Sequence, residues 1–229
     1  MLIQEAKWFG EIMSRMKDSE IFPMLNVGSH TEAYRKDGQP WVQQYIFAEA
    51  ERRKQTVMHL DIVDGPGVDI VGDLTDGTVL KRLAKMGFRS VLCTNVLEHV
   101  MNRGQVAQGI LEIVPVGGYL FVSVPYRFPY HPDPIDTMFR PNVTEIVGLF
   151  PGTTIYRQEI VRCGTLLGYL VKRMSENPRR FAKRLRRRLG GTPGSDNVGG
   201  WPSTVGLLSW MFREFQVTCV VLQKASGAV

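Results

Sequence analysis

Five short, largely apolar runs constrain this chain more than any other feature. They are residues 24–28, 57–61, 68–73, 90–93 and 119–124, built mainly from Val, Leu, Ile and Met and ending in Gly, Asp or a turn. Each reads as a strand buried on both faces, and helix-compatible stretches lie between them at 41–54, 78–86 and 104–113. Strands that alternate with helices predict a parallel sheet covered on both sides. Residues 153–161 and 215–222 supply two more strands, so the expected fold is α/β: a seven-stranded, mostly parallel sheet with helices on both faces.

Two segments flank or interrupt that core. Leu2, Ala6, Phe9, Ile12, Met13 and Met16 recur at helical spacing among charged residues, predicting an amphipathic N-terminal helix within 1–20 that packs on the body. The last two strands are separated by about fifty residues, far beyond the ~2–5 of a hairpin loop. Residues 163–212 are therefore expected to form a helical insertion, leaving 21–162 and 213–229 as the core, with helices at 165–176, 179–189 and 203–212.

Charge is concentrated in that insertion. Residues 172–188 hold nine basic residues and one acidic residue, a surplus of eight, whereas the whole chain carries only +6, so the remainder is slightly acidic. Phe181, Leu185 and Leu189 repeat every four residues within the run, the pattern of a basic amphipathic helix. Contact of 172–189 with an anionic membrane surface, nucleic-acid binding and a plain solvated arm all remain open from this pattern, with nucleic acid less favoured because no recognition motif accompanies it. No run is long and apolar enough to span a bilayer, and no signal-peptide core is evident near the N-terminus, so the expected location is cytoplasmic or peripheral at the inner membrane face. Cys93, Cys163 and Cys219 are dispersed, which predicts three reduced, buried thiols.

Ligands of open α/β sheets bind beyond the carboxyl ends of the strands. Here those ends read Asn26-Val27-Gly28-Ser29, then Asp61, then Gly72-Asp73-Leu74, then Thr94-Asn95-Val96-Leu97-Glu98-His99-Val100. A glycine turn followed by two acids and a polar block suits an adenosine-type ligand. With the Pro115-Val116-Gly117-Gly118 turn before the fifth strand, the Leu97-Glu98-His99 block resembles the class I S-adenosylmethionine-dependent methyltransferases, over roughly residues 24–140. The family pattern carries an acid where Asn26 stands and two further glycines after Gly28, where this chain has Ser29-His30-Thr31. The resemblance implies S-adenosylmethionine as cofactor. Gly28 and Ser29, with Asn26 just before them, would line its methionine portion, Asp61 the ribose, Asp73 and Leu74 the adenine, and Asn95 the sulfonium pocket. Residues 41–54 would form an added helix over the site.

The loop after the fifth strand, Pro125 to Pro141, is stiffened by Pro129, Pro132 and Pro134 around His131 and Asp133. The resembled family often carries a similar segment before an aromatic-Arg pair, here Phe139-Arg140. His131 is the first candidate for acceptor contact or general base, with Asp133 or Asp136 orienting it, and His99 is a further catalytic candidate; turn capping is the alternative role for each. No metal site is expected, because the four histidines lack an i, i+4 helical pair and the thiols are scattered. No G-x-G-x-x-G or G-x-S-x-G is present, which disfavours nicotinamide and nucleophilic-serine chemistry. The expected function is methyl transfer to a small-molecule, glycan or lipid-linked acceptor. A catalytically silent scaffold of the same fold and a nucleic-acid methyltransferase guided by the basic arm are the alternatives.

Overall fold

The computed structural model describes residues 1–131, 134–176 and 210–226. Its centre is one seven-stranded sheet in the order β3-β2-β1-β4-β5-β7-β6. The strands are β1 (Met24–Val27), β2 (Val57–Asp61), β3 (Ile70–Val71), β4 (Ser90–Thr94), β5 (Tyr119–Arg127), β6 (Thr153–Thr165) and β7 (Glu214–Lys224). β1 to β5 pair in parallel, and β7 runs antiparallel between β5 and β6. Strand order reverses between β1 and β4, which places a crevice beyond their carboxyl ends.

Successive side chains of a strand face opposite sides of the sheet, and two cores result. On one face Leu25, Val91, Cys93, Leu120 and Val122 pack against α5 (Gly77–Ala84), α6 (Arg103–Ile113) and α7 (Val143–Gly148). On the other, Met24, Leu92, Phe121 and Cys219 meet α1 (Ile3–Arg15), α2 (Asp18–Ile21) and the 40–52 region. All three thiols are buried, and burial pushes those of Cys93 and Cys163 up to about 12. Among the described residues no helix is long and apolar enough to cross a membrane.

Two elements differ from the sequence reading. The strand expected at 68–73 shrinks to Ile70–Val71, because the N–H of Val68 turns back to the carbonyl of Gly65 within the Gly65-Pro66-Gly67 turn. The single helix expected at 41–54 is three pieces: α3 (Pro40–Val42), a π-helical segment (Gln43–Phe47) and α4 (Ala48–Arg52). The widened turns lie where the chain crosses α1. A β-carbon on Gly10 would sit 2.3 Å from the carbonyl oxygen of Tyr45, so only glycine admits this approach. A second π-helical segment, Tyr34–Gly38, carries no clear sequence signal, whereas α7 opens on an Asn142–Glu145 capping box that the sequence reading passed over.

β6 and β7 are antiparallel neighbours, and β6 forms one edge of the sheet. β6 runs on to Thr165, and α8 (Leu166–Glu176) follows it at once. The helices expected at 179–189 and through most of 203–212 fall outside the described residues, as does nearly all of the basic run.

The N-terminal helix is anchored by an acid on its apolar face. Glu5 is fully buried beside Ala6 and Phe9, and Phe9 meets Phe121 edge-on at 6.1 Å. Its carboxylate accepts hydrogen bonds from Leu2 N–H (2.8 Å), Asn95 Nδ2 (2.8 Å) and Ser123 Oγ (2.5 Å). Removing it would leave the buried hydroxyl of Ser123 in β5 and the half-buried amide of Asn95, just after β4, without this partner. Glu5→Ala is expected to lower unfolding stability by ~1–3 kcal/mol, read from urea denaturation; an unchanged midpoint would mean that α1 does not depend on this anchor.

Candidate active site

The crevice begins at the turn after β1. Gly28 has φ +65°, and a β-carbon there would come within 2.6 Å of Val96 Cγ2, so the backbone is held tightly under the β4 loop. Asp61, at the end of β2, accepts from His30 N–H (2.7 Å, Oδ2) and Val63 N–H (3.0 Å, Oδ1). Each carboxylate oxygen keeps a lone pair for a ligand. Ser29 is buried, and its hydroxyl donates to the carbonyl of His30 (3.2 Å).

Arg35, absent from the sequence reading, locks this turn. Its buried guanidinium donates to the carbonyls of Ser29 (3.2 Å), His30 (2.6 Å) and Gly67 (2.8 Å). No pattern flags it, because its acceptors are backbone atoms. Asp73 is exposed and caps its own turn through Thr75 N–H (2.8 Å), while Leu74 is buried against α6. Asn95 adopts φ +53°, and its amide is held by Glu5. Glu5 too was missed, although a charge inside an apolar helical stripe was a usable signal.

Asn26 pairs within the sheet. Its amide donates to Nδ1 of His59 (3.1 Å), its register partner on β2. Burial drives the imidazole of His59 down to about 4, with Arg35 adding to the effect. It stays neutral, as its acceptor role toward Asn26 requires.

The second cluster lies beyond β4 and β5. Glu98 and His99 sit in a short 3-10 turn, Leu97–His99, directly after β4. Three contacts fasten the loop after β5 across it: Thr137 N–H and Oγ1 both donate to the carbonyl of Glu98 (2.9 and 2.8 Å), and Arg103 Nη1 donates to Thr137 Oγ1 (3.2 Å). His131 is thereby brought beside Glu98, with its ring 5.1 Å from that of His99 and nearly perpendicular to it.

Asp136 lies against His131. Its Oδ2 accepts the backbone N–H of His131 (2.9 Å) and lies 3.1 Å from ring Nδ1. Arg140 donates to both oxygens of Asp136 (2.6 and 3.0 Å). Burial works against ionisation there, but Arg140 and the backbone donors outweigh it and hold the carboxyl near 2. Asp133 lies outside the described residues. Burial lowers the pKa of His131, and burial with the nearby Glu5 pushes the carboxyl of Glu98 up to about 8. Glu98, His99 and His131 bring one potential ligand atom each within 4.8 Å of one another, although His131 is remote in sequence.

Comparison with solved structures identifies the fold. Coclaurine N-methyltransferase bound to N-methylheliamine and SAH superposes with a TM-score of 0.53 at 13% identity, over 96% of this chain and 70% of that one. The chain has the class I methyltransferase fold. A sarcosine dimethylglycine methyltransferase from Galdieria sulphuraria gives 0.52 at 12% identity, over 97% of this chain and 85% of its own. The [4+2]-cyclase SpnF gives 0.50 at 14%, over 96% and 82%, so the methyltransferase fold alone does not dictate methyl transfer. No protein-family model matches the chain, and no curated protein matches it.

The neutral histidines set a pH dependence. Below about 6.5 an unfolded imidazole binds a proton that folded His59 refuses until about 4, so the unfolded state takes up more protons in that window. Stability should be at full strength above pH 6.5 and fall by ~1–3 kcal/mol as the pH drops toward 4. His131 adds a contribution of the same sign. Denaturant midpoints measured across this range check it, and His59→Gln should remove its share of the slope.

Proposed function

We propose that the chain is an S-adenosylmethionine-dependent methyltransferase acting on a small-molecule, glycan or lipid-linked acceptor. The observation that carries this reading is that Gly28, Asp61 and Asn95 stand at or just past the carboxyl ends of β1, β2 and β4, where strand order reverses. The cradle fits the cofactor. Gly28 turns at positive φ with its backbone bare of a side chain, and Asp61 has acceptor capacity left for a ribose diol. Asp73 and Leu74 would border the adenine, Ser29 and Asn95 the methionine end, with Asn26 behind the turn.

Bound S-adenosylmethionine supplies an electrophilic methyl on sulfur. The residues of this chain have to hold the acceptor in line with it and keep water away. His131 suits acceptor contact or proton removal. It is held neutral by burial, its Nδ1 side is engaged by Pro129 O and Asp136, and its Nε2 is left with a lone pair. His99, beside it, completes the acceptor end. The small-molecule methyltransferases among the structural neighbours support an acceptor of that size.

A second reading has its own observation. Glu5 already occupies the donors of Asn95 and Ser123, which suits a closed scaffold that holds no cofactor. Calorimetric titration with S-adenosylhomocysteine separates the two. Micromolar binding is expected, weakened at least tenfold by Gly28→Val and by Asp61→Asn in protein whose thermal unfolding shows it folded. Absence of heat with the folded wild-type chain would favour the scaffold.

A further inference from the structure

We propose that Glu98, His99 and His131 form a binding site for a divalent transition metal of the zinc type. The first reason is the orientation of the two rings. Nδ1 of His99 contacts the carbonyl of Ile135, and Nδ1 of His131 lies 3.1 Å from the carbonyl of Pro129. A carbonyl can only accept, so each Nδ1 carries the hydrogen and each neutral ring presents a bare lone pair at Nε2. Both Nε2 atoms face the same atom, Glu98 Oε1, at 3.7 Å and 4.0 Å.

The second reason is the carboxylate. The side chain of Glu98 is fully buried, and among the described residues neither of its oxygens has a hydrogen-bond partner. A buried carboxylate in that state is costly unless something neutralises it. The two separations exceed the ~3.2 Å limit of a good hydrogen bond, so a proton shared between these atoms does not bridge them. Burial keeps the carboxyl of Glu98 protonated near neutral pH, and a cation held between it and the two rings would displace that proton. Metal bonds of ~2.0–2.2 Å set tetrahedral ligands ~3.3 Å apart, within reach of small side-chain rotations from the present positions.

The third reason is the surrounding shell. Metal-bound histidines donate their other N–H to a carbonyl or carboxylate, which fixes the ring and raises its basicity. His99 does so to Ile135 O, and His131 to Pro129 O with Asp136 behind it, itself clamped by Arg140. Two histidines and one carboxylate leave coordination positions free. His99 and His131 are 17% and 24% exposed, so those positions open toward solvent and would take water or an oxygen ligand. In the methyltransferase reading, His131 would then meet the acceptor through the metal.

The full-length chain, stripped with a chelator, should bind one equivalent of Zn2+ with micromolar or tighter affinity by calorimetry. Co2+ should give visible bands of a four- or five-coordinate nitrogen and oxygen site. His131→Ala and Glu98→Gln should each weaken binding at least a hundredfold, and Asp136→Asn ~10–100-fold, while His30→Ala leaves it unchanged. Should Glu98→Gln unfold, His131→Ala carries the test alone, since that ring is partly exposed and only its loop depends on it. Absence of binding, or binding unchanged in folded His131→Ala, would overturn the site. Titration with S-adenosylhomocysteine in metal-free protein tests the cofactor cradle separately, so failure of one leaves the other standing.

Discussion

A carboxylate enclosed in protein must find donors, and the donors available to Glu5 decide how the ends of β4 and β5 are covered. It sits on the apolar face of α1, where a hydrophobic residue would have packed without consequence. Because it is an acid, the helix is registered to Asn95 and Ser123 rather than merely adhering to the sheet. That register brings Phe9 onto Phe121 and Gly10 under the carbonyl of Tyr45, so the pieces between 40 and 52 are positioned in turn. One polar contact thus organises a largely apolar layer.

The two clusters beyond the sheet use buried polarity in opposite ways. Around Asp61 and Arg35, acceptors and donors are matched, and the result is a rigid turn with residual acceptor capacity. Around Glu98, His99 and His131, acceptors face acceptors. The Asp136–Arg140 clamp keeps that second arrangement from relaxing, since it holds His131 by both its backbone and its ring.

Sequence and structure agree where the signal is periodic and local. The strands β1, β2, β4, β5 and β7 fall within a few residues of their apolar runs, because burial on both faces leaves little other choice of residue. The reading made β3 too long, where a Gly-Pro-Gly turn shortens an edge strand, and missed the π-helical segment 43–47, which passes against a glycine of a different helix. At the site, Gly28, Asp61 and the Glu98-His99 pair were legible from their places at strand ends. Arg35 was not, since its partners are carbonyl groups that any residue provides. The convergence of His131 on Glu98 depends on Thr137 and Arg103 fastening one loop to another, a relationship with no period to read.

The outer edge strand has a bearing on solubility. Among the described residues β6 is paired on one side only, with Ile155 and Tyr156 half exposed, which makes its other side a template onto which another strand could add. Arg157, Glu159 and Arg162 punctuate that edge with charge of both signs. A second copy approaching in antiparallel register would have to bury some of these ions, and the register shift between Ile155 and Arg157 bends the strand away from the flat geometry such stacking needs. Two of these charges also have partners within the chain, Glu159 with Trp8 Nε1 at 2.7 Å and Arg162 with Glu214 at 3.7 Å, so an incoming strand would have to displace them as well.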